Sequence, residues 1–210
     1  MIRILIADDH TIVREGLKQI LAETPDMVAA DEASNGQDVL DKVWKNDYDV
    51  VLLDISMPGR SGLDILKQLK SDRPKLQVLI LSMYSEEQYA MRALRAGASG
   101  YMTKESAPDE LIEAIRKVAQ GRKYVSPSLA EKLAISLEVG EEKPPHETLS
   151  DREYQVMCMI ASGKTVKEIA EELSLSVKTI STYRTRILEK LRLKTNAAVV
   201  HYAVQNRLVE

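Results

Sequence analysis

The chain has 210 residues, 44% of them apolar and 29% charged, with a net charge of −3. That balance provides for buried cores and excludes wholesale disorder, and the single cysteine, Cys158, excludes an internal disulfide or a cysteine-based zinc cluster. The longest apolar run, Val156–Ala161, is far short of the roughly 20 residues of a membrane span, and Asp8-Asp9 interrupt the N-terminal stretch where a secretory signal would continue, so a cytoplasmic protein without membrane association is expected.

In chain order, Ile4–Ala7 is a short continuous apolar run, the mark of a strand buried on both faces. Val13, Leu17, Ile20 and Leu21 then recur at helical spacing. A weaker strand follows at Val28–Ala33, and Val39, Val43 and Trp44 predict a second helix with Trp44 as a packing residue. Val50–Leu53 and Val78–Leu81 repeat the buried-strand pattern. Ser85-Glu-Glu-Gln88 reads as a capping box for a helix running to about Ala96 and stopped by Gly97. A strand at Gly100–Thr103 and a helix carrying Leu111, Ile112, Ile115 and Val118 complete the series. Such alternation over residues 1–120 predicts an α/β doubly wound fold with a five-stranded parallel sheet.

The remaining chain differs in charge. Residues 1–120 hold 15 basic and 20 acidic residues, whereas residues 148–210 hold 10 and 7. Between them, residues 121–147 include the polar stretch Val139–Glu147 with Pro144-Pro145, an extended connection, and a short helix is plausible over Ser128–Leu137. Beyond it, Ser150-Asp-Arg-Glu153 and Thr165-Val-Lys-Glu168 are capping boxes, Gly163 is a helix stop, and Ser176 is an N-cap for a helix over about 177–191. A fourth helix is expected over about 197–205. Two helices joined by Ser174-Leu175-Ser176 read as a helix-turn-helix in a small all-α four-helix domain. Along 177–191, Val177, Ile180, Ile187, Leu188 and Leu191 form an apolar face, while Lys178, Ser181, Thr182, Thr185 and Arg186 lie opposite with Arg184 beside them. No carboxylate appears from Val177 to Leu188, which suits approach to a phosphate backbone.

In a doubly wound sheet, ligands bind at the carboxyl ends of the strands. Those ends carry Asp8-Asp9, Asp54, Ser82 and Lys104. Converging carboxylates suit Mg²⁺, and a lysine with a hydroxyl can hold the oxygens of a phosphoryl group carried on an aspartate.

These residues carry a resemblance. Ile6-Ala-Asp-Asp-His10, Leu52-Leu-Asp-Ile-Ser-Met-Pro58, Ser61-Gly62, Leu81-Ser82 and Gly100-Tyr-Met-Thr-Lys104 resemble the flavodoxin-like receiver domain of two-component response regulators. Leu149–Glu153, Ile160–Gly163, Lys167–Ala170 and Leu175–Ile180 resemble the LuxR-type helix-turn-helix domain. The resemblance implies a phosphorylation-controlled transcription regulator of the LuxR/FixJ (NarL-like) type. Asp54 would accept phosphate from a sensor histidine kinase, with Mg²⁺ on Asp9, Asp54 and the Ser56 carbonyl and Asp8 acting largely through water. Lys104 and Ser82 would contact the phosphoryl oxygens, and Tyr101 would be the switch aromatic. Lys178, Ser181, Thr182, Thr185 and Arg186 would contact double-stranded DNA, with Thr179 and Arg184 in phosphate or structural roles. Val199, Val200 and Ala203 would form the seam of a homodimer. One departure is Glu105, where receivers often carry proline. An aspartyl phosphohydrolase would need a second Asp two residues after Asp54, where Ser56 stands. A ligand-sensing regulator would need a small-molecule pocket. His10 is expected to start the first helix, and Met157, Cys158 and Met159 to lie in a core.

Overall fold

A computed structural model of the chain describes residues 1–127, 129–131 and 144–209, the Glu87 side chain excepted. It forms two compact units, Met1–Lys132 and Leu133–Glu210. The first alternates β1 (Ile2–Ala7), α1 (Thr11–Ala22), β2 (Met27–Ala33), α2 (Gly36–Lys45), β3 (Val50–Leu53), α3 (Gly62–Asp72), β4 (Gln77–Ser82), α4 (Glu86–Arg95), β5 (Gly100–Thr103) and α5 (Pro108–Ala119). All strand pairs are parallel, in the order β2-β1-β3-β4-β5.

Short apolar strands leave no room for polar alternation because both sheet faces are covered. Ile4, Ile6, Val50, Leu52, Leu79, Leu81 and Met102 pack with Leu17 and Leu21 of α1 and with Leu111, Ala114, Ile115 and Val118 of α5. The alternate residues Leu5, Val51, Leu53, Val78 and Ile80 are equally buried. Right-handed crossovers in this strand order send α2, α3 and α4 to their side. The carboxyl ends of β1, β3, β4 and β5 therefore meet along one edge.

The helix signals translate unevenly. Ser85 stands at the N-cap of α4 but makes no side-chain cap bond, so the expected capping box is absent there; Gly97 follows that helix with φ +102 as the expected stop. Trp44 is not a packing residue, being 77% exposed on α2. After α5 the chain stays on the sheet. Tyr124 bridges Gly100 in parallel fashion, its N–H donates to Ser99 O (2.9 Å), and the Ser126 hydroxyl bonds Glu86. The short helix expected over 128–137 lies largely outside the described residues.

Among the described residues of the second unit, a 3-10 turn, Pro145–Thr148, is followed by α6 (Asp151–Ala161), α7 (Val166–Glu172), α8 (Val177–Leu191) and α9 (Asn196–Gln205). Both capping boxes form: Ser150 and Glu153 exchange bonds at the start of α6, and Thr165 and Glu168 at the start of α7. Ser176 caps α8 by accepting from the Thr179 N–H. The turn before α8 contains Ser174 at φ 52, and the Leu175 N–H closes it on Ala170 O. Val156, Ile160, Ile169, Leu173, Ile180, Ile187 and Leu191 are buried, as are Met157, Cys158 and Met159. Val177 departs from the expected apolar face and is 51% exposed, because it sits in the first turn, ahead of the packed stretch.

Candidate phosphoacceptor site and nucleic-acid face

Asp54 ends β3 and is buried. Its seat depends on Gly62, the first residue of α3: a Cβ there would lie 2.4 Å from Ile55 Cα and 2.6 Å from Asp54 O. The missing side chain lets α3 start hard against the acceptor strand. Asp54 Oδ1 accepts the Ser56 N–H (3.0 Å), and Oδ2 accepts from Lys104 Nζ (2.8 Å) at the end of β5. Lys104 also reaches Asp8 Oδ2 at 2.5 Å. Asp8 Oδ1 accepts the His10 N–H at 2.8 Å. One buried ammonium thus serves two buried carboxylates on neighbouring strands.

Electrostatics follow from this sharing. Burial pushes the Asp54 carboxyl above its ordinary range, Lys104 and the Ser56 N–H oppose that, and Asp8 adds to it. Burial lowers the Lys104 ammonium, but Asp54 and Asp8 outweigh it and hold the group above its usual value. Asp9 is the third carboxylate. Its Oδ1 is buried without a hydrogen bond and faces His10 Nδ1 at 3.0 Å. Asp8, Asp9, His10 and Asp54 each offer a ligand atom within 4.8 Å of the others. An orphaned carboxylate oxygen beside two further carboxylates is an arrangement that a hard divalent cation satisfies, so the residues present fit Mg²⁺. His10 starts α1 as expected and adds a nitrogen to this cluster, which its position in the sequence did not announce.

The two remaining pocket residues are joined through one loop. Ser82 Oγ accepts the Tyr84 N–H at 3.1 Å, and the Tyr101 hydroxyl donates to Tyr84 O at 2.7 Å. Tyr101 is fully buried, its ring turned inward, and burial raises its hydroxyl far above the ordinary range.

Sequence inspection missed Arg14 and Glu32. The Arg14 side chain is 12% exposed, and it donates to Asp8 O (2.8 Å), Thr11 Oγ1 (3.3 Å) and Glu32 Oε2 (3.1 Å). A basic residue one helical turn beyond the acidic pair was the signal available; the pairing with β2 needed the fold.

On α8, Lys178, Ser181, Thr182, Thr185 and Arg186 are all exposed. The three hydroxyls donate back to carbonyls one turn earlier, Ser181 to Val177, Thr182 to Lys178 and Thr185 to Ser181. Thr179 is tied to Ser176 at 2.8 Å, and Arg184 Nε donates to Asn196 Oδ1 at 2.6 Å. Among the expected seam residues, Val199 and Ala203 are buried, on the face of α9 that packs on α6, and have no surface for a partner chain. Val200 is half-buried, and the exposed apolar residue of that helix is Val204.

Fold and pocket together define a receiver-type signalling module, carried in one chain with a helix-turn-helix module. The family model for the response regulator receiver domain matches residues 4–116, and that for bacterial regulatory proteins of the luxR family matches residues 147–203. The chain belongs to the two-component response regulators of the NarL/FixJ family. It is 36% identical to the response regulator UvrY of Escherichia coli strain K12 over 99% of this chain and 96% of UvrY. It is 37% identical to the response regulator GacA of Pseudomonas aeruginosa, over 100% of this chain and 99% of GacA. Among solved structures, it resembles RcsB of Salmonella enterica serovar Typhimurium bound to promoter rprA in the presence of the phosphomimetic BeF3⁻. That match has a TM-score of 0.66 and 27% identity, and covers 97% of this chain and 99% of the other. Another similar structure holds two RcsB dimers bound to two parallel DNAs (TM-score 0.60, 27% identity, 97% and 98% covered). No helix among the described residues is long and apolar enough to cross a membrane.

Proposed function

We propose that this response regulator is a transcription factor switched by phosphorylation of Asp54. The observation that carries the reading is the buried Asp54 carboxylate, bonded by Lys104 and the Ser56 N–H beside the orphaned oxygen of Asp9. A sensor histidine kinase is the donor: an Asp54 oxygen attacks phosphorus, the P–N bond of the phosphohistidine breaks, and the imidazole leaves and takes a proton. Asp9, Asp54 and the Ser56 carbonyl would hold Mg²⁺, with Asp8 acting through water; the ion supplies positive charge to the carboxylates and the phosphoryl oxygens. Lys104 transfers its hydrogen bond from Asp54 Oδ2 to a phosphoryl oxygen. Ser82 then leaves the Tyr84 N–H for the phosphoryl group, and since Tyr84 O holds Tyr101, the β4–α4 loop and Tyr101 respond together.

Residues 1–120 act as the phosphoacceptor unit and 148–210 as the DNA-binding unit, with 121–147 connecting them inside a cytoplasmic homodimer. Lys178, Ser181, Thr182, Thr185 and Arg186 face double-stranded DNA. Thr179 completes the cap of α8, and Arg184 links that helix to the start of α9. A two-fold seam on α9 would use Val200 with Val204 in place of the buried Val199 and Ala203. Incubation with radiolabelled acetyl phosphate and Mg²⁺, followed by selection from a random duplex pool, tests the reading. Label on the parent but not on Asp54→Asn, with enrichment of one motif, supports it; label persisting on Asp54→Asn overturns it.

A further inference from the structure

Arg14 lies one turn into α1, and its side chain is 12% exposed. Its fork spans three elements: the carbonyl of Asp8 at the end of β1, the Thr11 hydroxyl in the first turn of α1, and the Glu32 carboxylate near the end of β2. Glu32 is itself fixed: Lys18 lies 3.4 Å from its carboxylate, and Lys42 bonds its carbonyl. The guanidinium-bound carbonyl of Asp8 belongs to the peptide that leads directly into Asp9. Anchoring that peptide limits the directions in which the two successive carboxylates can point. A rigid planar fork suits this task, since a lysine offers one point of attachment at a time.

We infer that Arg14 is a positioning residue for the cation site, holding the Asp8-Asp9 turn so that the Asp9 carboxylate stays beside those of Asp8 and Asp54. The inference rests on the reading of that cluster as a Mg²⁺ site. It differs in sign from a simple charge effect. Arg14 is a cation bonded to the backbone that carries Asp8 and Asp9, so on charge alone removing it should tighten divalent-ion binding by relieving repulsion. Loss of positioning should weaken it, by about tenfold or more, the scale found when groups that orient metal ligands are removed.

The test is direct Mn²⁺ binding to the unphosphorylated full chain, read by electron paramagnetic resonance, for the parent, Arg14→Gln, Arg14→Lys and Asp9→Asn. The circular dichroism melt of each is recorded alongside. The expected result is a Kd raised about tenfold or more in both Arg14 variants. Arg14→Lys keeps the charge and is the variant to rely on if Arg14→Gln does not fold. The Mg²⁺ concentration giving half-maximal labelling by acetyl phosphate should rise in step, with the rate at saturating Mg²⁺ changing less. A folded Arg14 variant that binds Mn²⁺ as tightly as the parent, or more tightly, overturns the role of Arg14 while Asp9→Asn still loses the ion. A parent chain that does not bind Mn²⁺, or an Asp9→Asn variant that binds it unchanged, overturns the cation site and this inference with it.

Discussion

At the scale of single residues, the pocket balances two buried carboxylates against one buried ammonium, with a third carboxylate at its rim. Replacing Lys104 with methionine keeps the length of the side chain and removes the charge. Asp8 and Asp54, 2% and 1% exposed, are then left uncompensated. Breaking a buried pair in this way costs about 3–5 kcal/mol, so Lys104→Met should unfold at markedly lower urea in the presence of a chelator. Added Mg²⁺ should restore more stability to the variant than it adds to the parent, because the ion binds the folded state and substitutes for the lost charge. Equal shifts in the two proteins would contradict this account of the pocket. Much of this site was legible in the sequence, because Asp8, Asp9, Asp54, Ser82 and Lys104 all fall at strand ends and a parallel sheet gathers those ends at one edge. The Arg14–Glu32 pair was not legible: it joins α1 to β2 through a side-chain contact between residues 18 apart. Trp44 and Val177 were misread for a related reason. Helical periodicity gives the phase of an apolar residue but not whether a neighbouring element covers it.

At the scale of elements, two joints invite measurement. Glu153 caps α6 through the Ser150 N–H and pairs with Lys190 of α8 at 2.6 Å. Burial would raise its carboxyl, but the bonds from Lys190 and Ser150 outweigh that and hold it below the usual value. A carboxyl depressed in the folded state contributes stability above its unfolded pKa and loses it as pH falls through the folded value. Glu153→Gln should therefore cost about 2 kcal/mol near neutrality, with calorimetric transitions of parent and variant converging in acid. A difference that persists unchanged at low pH would assign the effect to packing instead. The second joint is the seat of Tyr124 on β5. A Cβ on Gly100 would lie 2.6 Å from Tyr124 O and 2.9 Å from Leu79 Cδ1. Gly100→Ala should destabilise by about 1–3 kcal/mol and speed hydrogen exchange at the Tyr124 amide, which donates to Ser99 O; an unchanged Tyr124 amide would contradict the seat. Capping boxes were visible in advance where serine or threonine precedes Glu by three residues with the helix start well placed, as at Ser150 and Thr165. At Ser85, where Gln88 stands in place of the glutamate, no side-chain cap bond forms. Nothing in the apolar pattern announced that the chain after α5 remains on the sheet edge, because the bridge from Tyr124 to Gly100 and the bond from the Tyr124 N–H to Ser99 O are made by backbone atoms.

For the whole molecule, the acidic residues 1–120 and the mildly basic residues 148–210 divide two tasks: accepting a phosphoryl group and approaching a phosphate backbone. Under the proposed function dimerisation would link them, because a two-fold pair engages two half-sites at once and gains affinity through effective concentration. Lys178→Ala and Arg186→Ala should each weaken DNA binding and reduce the slope of affinity against salt by about one unit if they meet phosphates; a base-reading role would instead relax sequence preference with less change in slope. A division of the chain was expected from a change in charge and periodicity across residues 121–147, and the compact units divide between Lys132 and Leu133; of the valines expected in a seam, Val199 is buried within the domain. The central claim is that the state of Asp54 controls DNA binding. The most direct measurement is the affinity of the full-length parent and Asp54→Ala for a selected duplex, at one stated salt concentration with Mg²⁺, with and without beryllofluoride. The account predicts that beryllofluoride tightens binding by the parent at least tenfold and leaves Asp54→Ala unchanged. Equal affinities for the parent in both conditions, or the same gain in Asp54→Ala, would contradict it.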